Sequence, residues 1–89
     1  MRQGGDRKGT VVAKNPQRGM VALDTEDDGY TIIELLVDWD LEMGDVLTWQ
    51  NGYGLGLETY VNVTKGTRAQ VYVQNHGVSR EAVRQQLLF

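Results

Sequence analysis

Cysteine is absent from this chain of 89 residues, and proline occurs once. Without cysteine, neither a disulfide framework nor a thiolate metal site can hold the fold together. No apolar run approaches the roughly 20 residues that a membrane-spanning helix needs, and the segment Met1–Gly9 is polar. We therefore expect no membrane anchor and no targeting segment, and the lack of cysteine favours a reducing, cytoplasmic setting.

Lysine and arginine are missing from residues 21–60, although the chain contains 9 of them. The same stretch holds every acidic residue except Asp6 and Glu81, so an acidic middle lies between two basic ends, and the net charge is −3. A negative net charge argues against a general nucleic-acid binder. A barrel built from such blocks can still have one basic and one acidic side, or the blocks can simply be solvated surface.

The 11 glycines and the frequent valines and threonines are typical of short strands joined by tight turns. We predict strands over residues 9–14, 19–24, 30–37, 45–50, 57–63 and 68–74. Two of the last three segments can also be parts of one bent strand, so the count is five or six. In domain terms, residues 1–8 are predicted to be a disordered tail, residues 9–78 a barrel, and residues 79–89 a helix packed on it.

The hydrophobic period changes after Ser79, which is a good helix N-cap residue. Val83 and Leu87 are spaced to share one face of a helix. The pattern predicts a short helix from about residue 80 to residue 88, with its apolar face docked on the barrel. The alternative is that residues 87–89 pair with a second chain.

Four segments of the first half carry a recognisable pattern. They are GTVVAKN at Gly9–Asn15, RGMVAL at Arg18–Leu23, YTIIEL at Tyr30–Leu35 and LEMGDVLTW at Leu41–Trp49. Their spacing and glycines resemble the cold-shock domain. The resemblance implies an all-β, five-stranded OB-type (cold-shock-like) barrel of a bacterial type, here followed by a short C-terminal α-helix, and it implies binding of single-stranded nucleic acid.

The aromatic residues with which cold-shock domains stack bases are replaced in this sequence. The corresponding positions hold Ala13 and Lys14 on strand 1, Met20 and Ala22 on strand 2, and Ile32 and Glu34 on strand 3. Because each base stacked on an aromatic ring is worth about 1–3 kcal/mol, we expect any single-strand binding to be weak. The carboxylate of Glu34 would in addition repel phosphate.

Basic residues lie in or beside the loops with which OB folds bind oligonucleotides. We predict phosphate contacts from Lys14, Arg18, Lys65 and Arg68, and apolar contacts from Met20 and Ile32. The partner would be single-stranded RNA or DNA, bound weakly and in a salt-sensitive way. Two alternatives remain: the apolar face of strands 2 and 3 binds a protein partner or a second copy, or the C-terminal helix buries that face.

No catalytic residue, metal site or cofactor is predicted. His76 is the only histidine, and it stands in an Asn-His-Gly turn without a nucleophile motif or a second histidine. A barrel of this size has little concavity in which carboxylate pKa values could be shifted for catalysis. The sequence therefore predicts a non-catalytic binding module, monomeric and without a membrane partner.

Overall fold

A computed structural model describes residues 6–87 of the chain. Most of the predicted tail, residues 1–8, lies outside that range, and so do residues 88–89. The first strand begins at Arg7, two residues before the predicted start at Gly9. The end of the predicted tail is therefore part of the sheet.

Six strands are followed by one short helix. The strands are β1 (Arg7–Asn15), β2 (Met20–Asp24), β3 (Tyr30–Leu35), β4 (Val46–Trp49), β5 (Gly56–Asn62) and β6 (Thr67–Val78), and a 3₁₀ turn (Arg80–Ala82) leads into the helix α1 (Val83–Leu87). The predicted all-β architecture with a short C-terminal helix is confirmed. Within residues 6–87, no helix has the length and apolar character needed to cross a membrane.

The strands close into one antiparallel barrel in the order β1-β2-β3-β6-β5-β4, and β4 pairs back with β1. The barrel has six strands, whereas the resemblance implied five. The additional strand arises because β5 and β6 form a complete hairpin, in register from Gly56 opposite Val73 to Asn62 opposite Thr67. The glycine-rich segment before β5 separates this hairpin from β4.

Glycine is required at two of the hairpin turns. Gly19, between β1 and β2, has φ 68°, and Gly29, between β2 and β3, has φ 71°, a region that side chains with a Cβ avoid. A Cβ on Gly29 would also lie 2.8 Å from the carbonyl oxygen of Val78, at the end of β6. The Asp-Gly turn thus brings the chain against β6 and fixes the pairing of β3 with both of its neighbours.

The barrel interior is filled by alternate residues of all six strands. The members of this core are Val11, Val21, Leu23, Ile33, Leu47, Trp49, Tyr60, Val71 and Val73, with Trp39 and Leu41 added from the connection between β3 and β4. The rings of Trp49 and Tyr60 stack with their centroids 4.5 Å apart. The indole of Trp39 donates a hydrogen bond to the Thr67 hydroxyl at 3.0 Å, which ties that connection to the start of β6.

A second apolar cluster lies on the outside of the barrel, beneath α1. Leu87, which is fully buried, packs there with Met20, Ala22, Ile32 and Val78. Its carbonyl oxygen accepts a hydrogen bond from the side-chain amide of Asn15 at 2.9 Å. The predicted docking of the helix on the barrel is thereby observed.

Ser79 does precede the helical segment, in an extended conformation, but its side chain makes no capping hydrogen bond with any residue that the structure describes. The 3₁₀ turn is closed by the Ala82 amide, which donates to the Ser79 carbonyl oxygen at 3.0 Å. A helix of only 5 residues is not stable by itself. Its stability comes from the contacts of its apolar face with the barrel.

Candidate interaction surface

The two residues predicted to make apolar contacts with a ligand are covered by the protein itself. Met20 is 7% exposed and Ile32 is 0% exposed, because α1 lies over the outer face of β2 and β3. Of the uses considered for this face, burial under the helix is the one observed. While α1 is docked, Ile32 is inaccessible to a base or a partner, and Met20 exposes only an edge that lines a groove together with Arg18.

Lys65 is also unavailable, because its charge is neutralised within the chain. Its ammonium nitrogen lies 2.9 Å from Asp45, 3.4 Å from Glu42 and 3.7 Å from Asp40. The bond from Lys65, the backbone N–H of Glu42 and the amide of Asn62 together lower the pKa of Asp45 to about 2. The bond to Asp45 in turn raises the pKa of Lys65. The predicted phosphate contact is replaced by a structural ion cluster.

Lys14 has a similar internal role on the other side of the same connection. Its ammonium group donates a hydrogen bond to the carbonyl oxygen of Leu41 at 2.6 Å. Lys14 and Lys65 therefore hold the connection between β3 and β4 from two sides. Because this connection also carries the acidic residues Asp40 and Glu42, the surroundings of both lysines are unfavourable for phosphate.

Arg18 and Arg68 remain at the surface, but they do not line one site. Arg18 is exposed in the turn between β1 and β2, and Arg68 is exposed on the outer face of β6. Neither forms an ion pair within residues 6–87. The groove beside Arg18 and the groove beside Arg68 share no lining residue. The six predicted residues thus do not converge on a common binding site.

The outer face of β3, β6 and β5, which we call the β3–β6–β5 face, is a further candidate interaction surface. It was not predicted from the sequence. Its apolar part is a cross-strand pair of Leu57 on β5 and Tyr72 on β6, with exposed fractions of 58% and 43%. On the other side of Tyr72, Glu34 of β3 is its register partner. Leu55, just before β5, is exposed as well.

The alternation within β5 and β6 carries the signal that could have found this face. Val71 and Val73 are buried in the barrel, so the residues between and around them point outward. That places Tyr72 on the outside of β6, opposite Leu57 on the outside of β5. The sequence predicted both strands, but the predicted binding site was placed on the face of strands 2 and 3, where the cold-shock resemblance implies it.

A groove rich in amide side chains adjoins the β3–β6–β5 face. It encloses about 600 Å³ and is lined by Gln17, Arg18, Met20, Glu34, Gln74, Gln85 and Gln86. The Gln74 amide donates a hydrogen bond to the Glu34 carboxylate at 2.9 Å and so links β6 to β3 at the groove. Amides both donate and accept hydrogen bonds, so the groove can satisfy a polar ligand of either kind.

The charges around this surface are balanced. Arg68 lies at one end of the face, Gln70 and Thr59 lie in the middle, and Glu34 lies beside the Leu57–Tyr72 pair at the other end. A nucleic-acid surface would instead show an excess of cations. An apolar pair bordered by polar side chains and by charges of both signs fits a protein–protein interface.

His76 takes part in closing one end of the barrel. One ring nitrogen lies 2.8 Å from the Thr31 hydroxyl and the other 3.2 Å from the carbonyl oxygen of Gly54. Its ring packs against those of Trp49 and Tyr53. Both nitrogens are thus engaged by the protein. Within residues 6–87 there is also no group of three or more His, Asp or Glu side chains placed to hold a metal ion.

Set against known proteins, the chain matches no family model, no curated protein and no solved structure.

Proposed function

We propose that this protein is a small non-catalytic module that binds another protein through the β3–β6–β5 face. The observation that carries the proposal is the exposed pair of Leu57 and Tyr72. The apolar outer face of β2 and β3 is covered by α1, whereas Leu57 and Tyr72 are exposed. The cold-shock-like OB fold to which about residues 9–50 are similar, and a cytoplasmic setting, are part of the same proposal.

The chemistry of the face favours a protein over other partners. Tyrosine is enriched at the energetic centres of protein interfaces because its ring covers a large area and loses little conformational entropy on binding. Glutamine and threonine side chains around Tyr72 can pair with a partner's backbone, as the rim of an interface does. The opposite charges of Arg68 and Glu34 can orient a bound partner, and because they balance they do not attract polyanions.

A selection from a phage-displayed library of random peptides tests this function. We expect enrichment of peptides with an aromatic or branched apolar residue, because such residues can bury the Leu57–Tyr72 pair. The Tyr72→Ser variant is expected to bind the selected peptides at least about tenfold more weakly, since an interface aromatic typically contributes more than 1 kcal/mol. Isothermal titration of synthetic peptides gives the dissociation constants.

The matched control is Val63→Ser, which removes an exposed apolar side chain in the turn after β5. It is expected to leave peptide affinity unchanged. Peptides that bind Tyr72→Ser as tightly as the wild-type protein would contradict the assignment of the face, and so would a selection that enriches nothing.

Single-stranded nucleic acid is the second candidate ligand, and Arg18 beside the amide-lined groove favours it. Glutamine amides can read base edges, Tyr72 offers a ring for stacking, and Arg18 can contact phosphate. We expect at most weak binding of a labelled oligonucleotide at about 50 mM salt, since few phosphates would be neutralised, and a further decrease in affinity of about tenfold or less by about 200 mM.

Fluorescence anisotropy with labelled RNA and DNA of equal length measures this. The Arg18→Ala variant is expected to reduce the affinity, while Arg80→Ala, which removes an arginine from the 3₁₀ turn, serves as the control. Equal binding by the two variants, or none by the wild-type protein at low salt, argues against a nucleic-acid ligand.

A further inference from the structure

We propose that the partner of the β3–β6–β5 face is a second copy of this chain, packed face to face about a two-fold axis that crosses the strands at Gln70. The inference rests on the proposed function, because it names the protein that the face binds. It departs from the monomer expected from the sequence.

The register of β5 and β6 defines three successive rows on this face. Tyr72 is opposite Leu57, Gln70 is opposite Thr59, and Arg68 is opposite Val61. Alternate residues of a strand point to the same side, so all three rows face outward. The face therefore runs from a cationic row through a neutral polar row to an apolar row.

A two-fold axis that runs along the middle row, perpendicular to the strands, places the first row of one copy opposite the last row of the other. Tyr72 of each copy then faces Arg68 of the other copy, and Leu57 faces Val61. An arginine over a tyrosine ring is a favourable cation–π pair, and the two branched aliphatic side chains bury each other. The middle row meets itself, where Gln70 can exchange hydrogen bonds with its symmetry mate because an amide is both donor and acceptor.

Arg68 and Glu34 are placed to pair between copies. Glu34 is the register partner of Tyr72, so an Arg68 side chain lying over Tyr72 of the other copy also approaches Glu34 of that copy. Within one copy, Arg68 and Tyr72 are four residues apart on β6, about 13 Å at the rise of a strand. That separation keeps Arg68 and Glu34 of one copy from pairing with each other. The two-fold relation forms two such pairs at once.

Two other ways for one copy to contact another are closed. The outer face of β2 and β3 is covered by α1, and closure of the barrel leaves little unpaired strand edge for a neighbour to extend. Three rows on two or three strands bury less than a standard interface of about 800 Å² per partner. We therefore expect a dimer that dissociates on dilution in the micromolar range.

Two charge-reversed variants test the pairing. In Arg68→Glu, positions 34 and 68 are both acidic, and in Glu34→Arg both are basic. Each variant alone places like charges opposite each other twice, so its dimer dissociation constant is expected to rise at least about tenfold. An equimolar mixture restores both attractive charge pairs, although it lacks one of the two arginine–tyrosine contacts, and it is expected to dimerise more tightly than either variant alone.

Sedimentation velocity over a concentration series measures the three samples and the Arg80→Glu control, which reverses a charge outside the face and is expected to dimerise normally. Thermal melting followed by circular dichroism verifies that each variant is folded.

A second measurement uses the absence of cysteine. Because facing sheets pack about 10 Å apart, a short bismaleimide is expected to cross-link Gln70→Cys but not Ser79→Cys, whose thiol would lie outside the face.

Several results would overturn the inference. They are a wild-type protein that remains monomeric at high concentration, a mixture of the two charge variants that remains monomeric, and a Gln70→Cys variant that cross-links no better than Ser79→Cys. A protein that binds the selected peptides through Tyr72 yet does not self-associate would refute the two-fold pairing and leave the proposed function standing. A monomer that also binds no peptide through this face would refute both.

Discussion

Replacing Asn62 with alanine is expected to lower the free energy of unfolding by about 2–3 kcal/mol, because it leaves buried polar groups without partners. Asn62 is fully buried at the end of β5. Its amide donates to the Asp45 carboxylate at 2.8 Å, and its side-chain oxygen accepts from the Lys65 backbone N–H at 3.1 Å. The substitution thus removes one of the links between the β5–β6 turn and the segment that leads into β4, the other being the ion pair of Lys65 with Asp45.

Urea denaturation at neutral pH measures the loss. The matched control is Asn51→Ala, which removes a side-chain amide that bonds to Glu58 at 2.7 Å on the exposed surface. A surface substitution of that kind is expected to change stability by less than about 0.5 kcal/mol. Equal effects of the two variants would show that the cluster around Asp45 does not hold the turn.

The pH dependence gives an independent check on the same cluster. Because the pKa of Asp45 is lowered from 3.8 to about 2, its carboxylate stabilises the fold above about pH 4, and this contribution is lost as the pH falls toward 2. Removing Asn62 removes one of the bonds that lower this pKa. The stability difference between the wild-type protein and Asn62→Ala is therefore expected to shrink between pH 4 and pH 2, and a constant difference would contradict the role given to Asn62.

The sequence was informative where structure is decided locally. The Asn-Pro and Asp-Gly signals, together with glycines that need positive φ, placed the turns on both sides of β2. The i, i+4 spacing of Val83 and Leu87 located the helix within a few residues. These features depend on neighbours in the chain, and such neighbours are visible in the sequence.

The internal roles of the lysines that were expected to contact phosphate could not be predicted in the same way, because they depend on contacts between distant segments. Lys65 lies 20 residues from Asp45, and only the pairing of β4 with β5 brings them together. A lysine in a turn and a lysine in an ion cluster look the same in the sequence. The strand count was ambiguous for a related reason, since the glycine-rich segment before Gly56 can be read either as a bend within one strand or as a break between two.

Replacing Leu87 with alanine is expected to cost about 2–5 kcal/mol, the range found when a fully buried leucine is truncated. Leu87 is 0% exposed and packs on Met20, Ala22 and Ile32. Since α1 is too short to persist without this docking, the substitution is expected to release the helix as well as to open a cavity. Urea denaturation measures the loss of stability, and binding of a hydrophobic dye reports the uncovered face of β2 and β3.

The matched control is Leu55→Ala, the same chemical change at an exposed leucine, for which less than about 0.5 kcal/mol and no dye binding are expected. If Leu87→Ala behaves like this control, α1 does not cover the barrel, and Met20 and Ile32 are accessible. The binding face first expected on strands 2 and 3 would then be available again. If Leu87→Ala loses stability and binds dye, that face belongs to the fold, and the β3–β6–β5 face is where a partner should be sought.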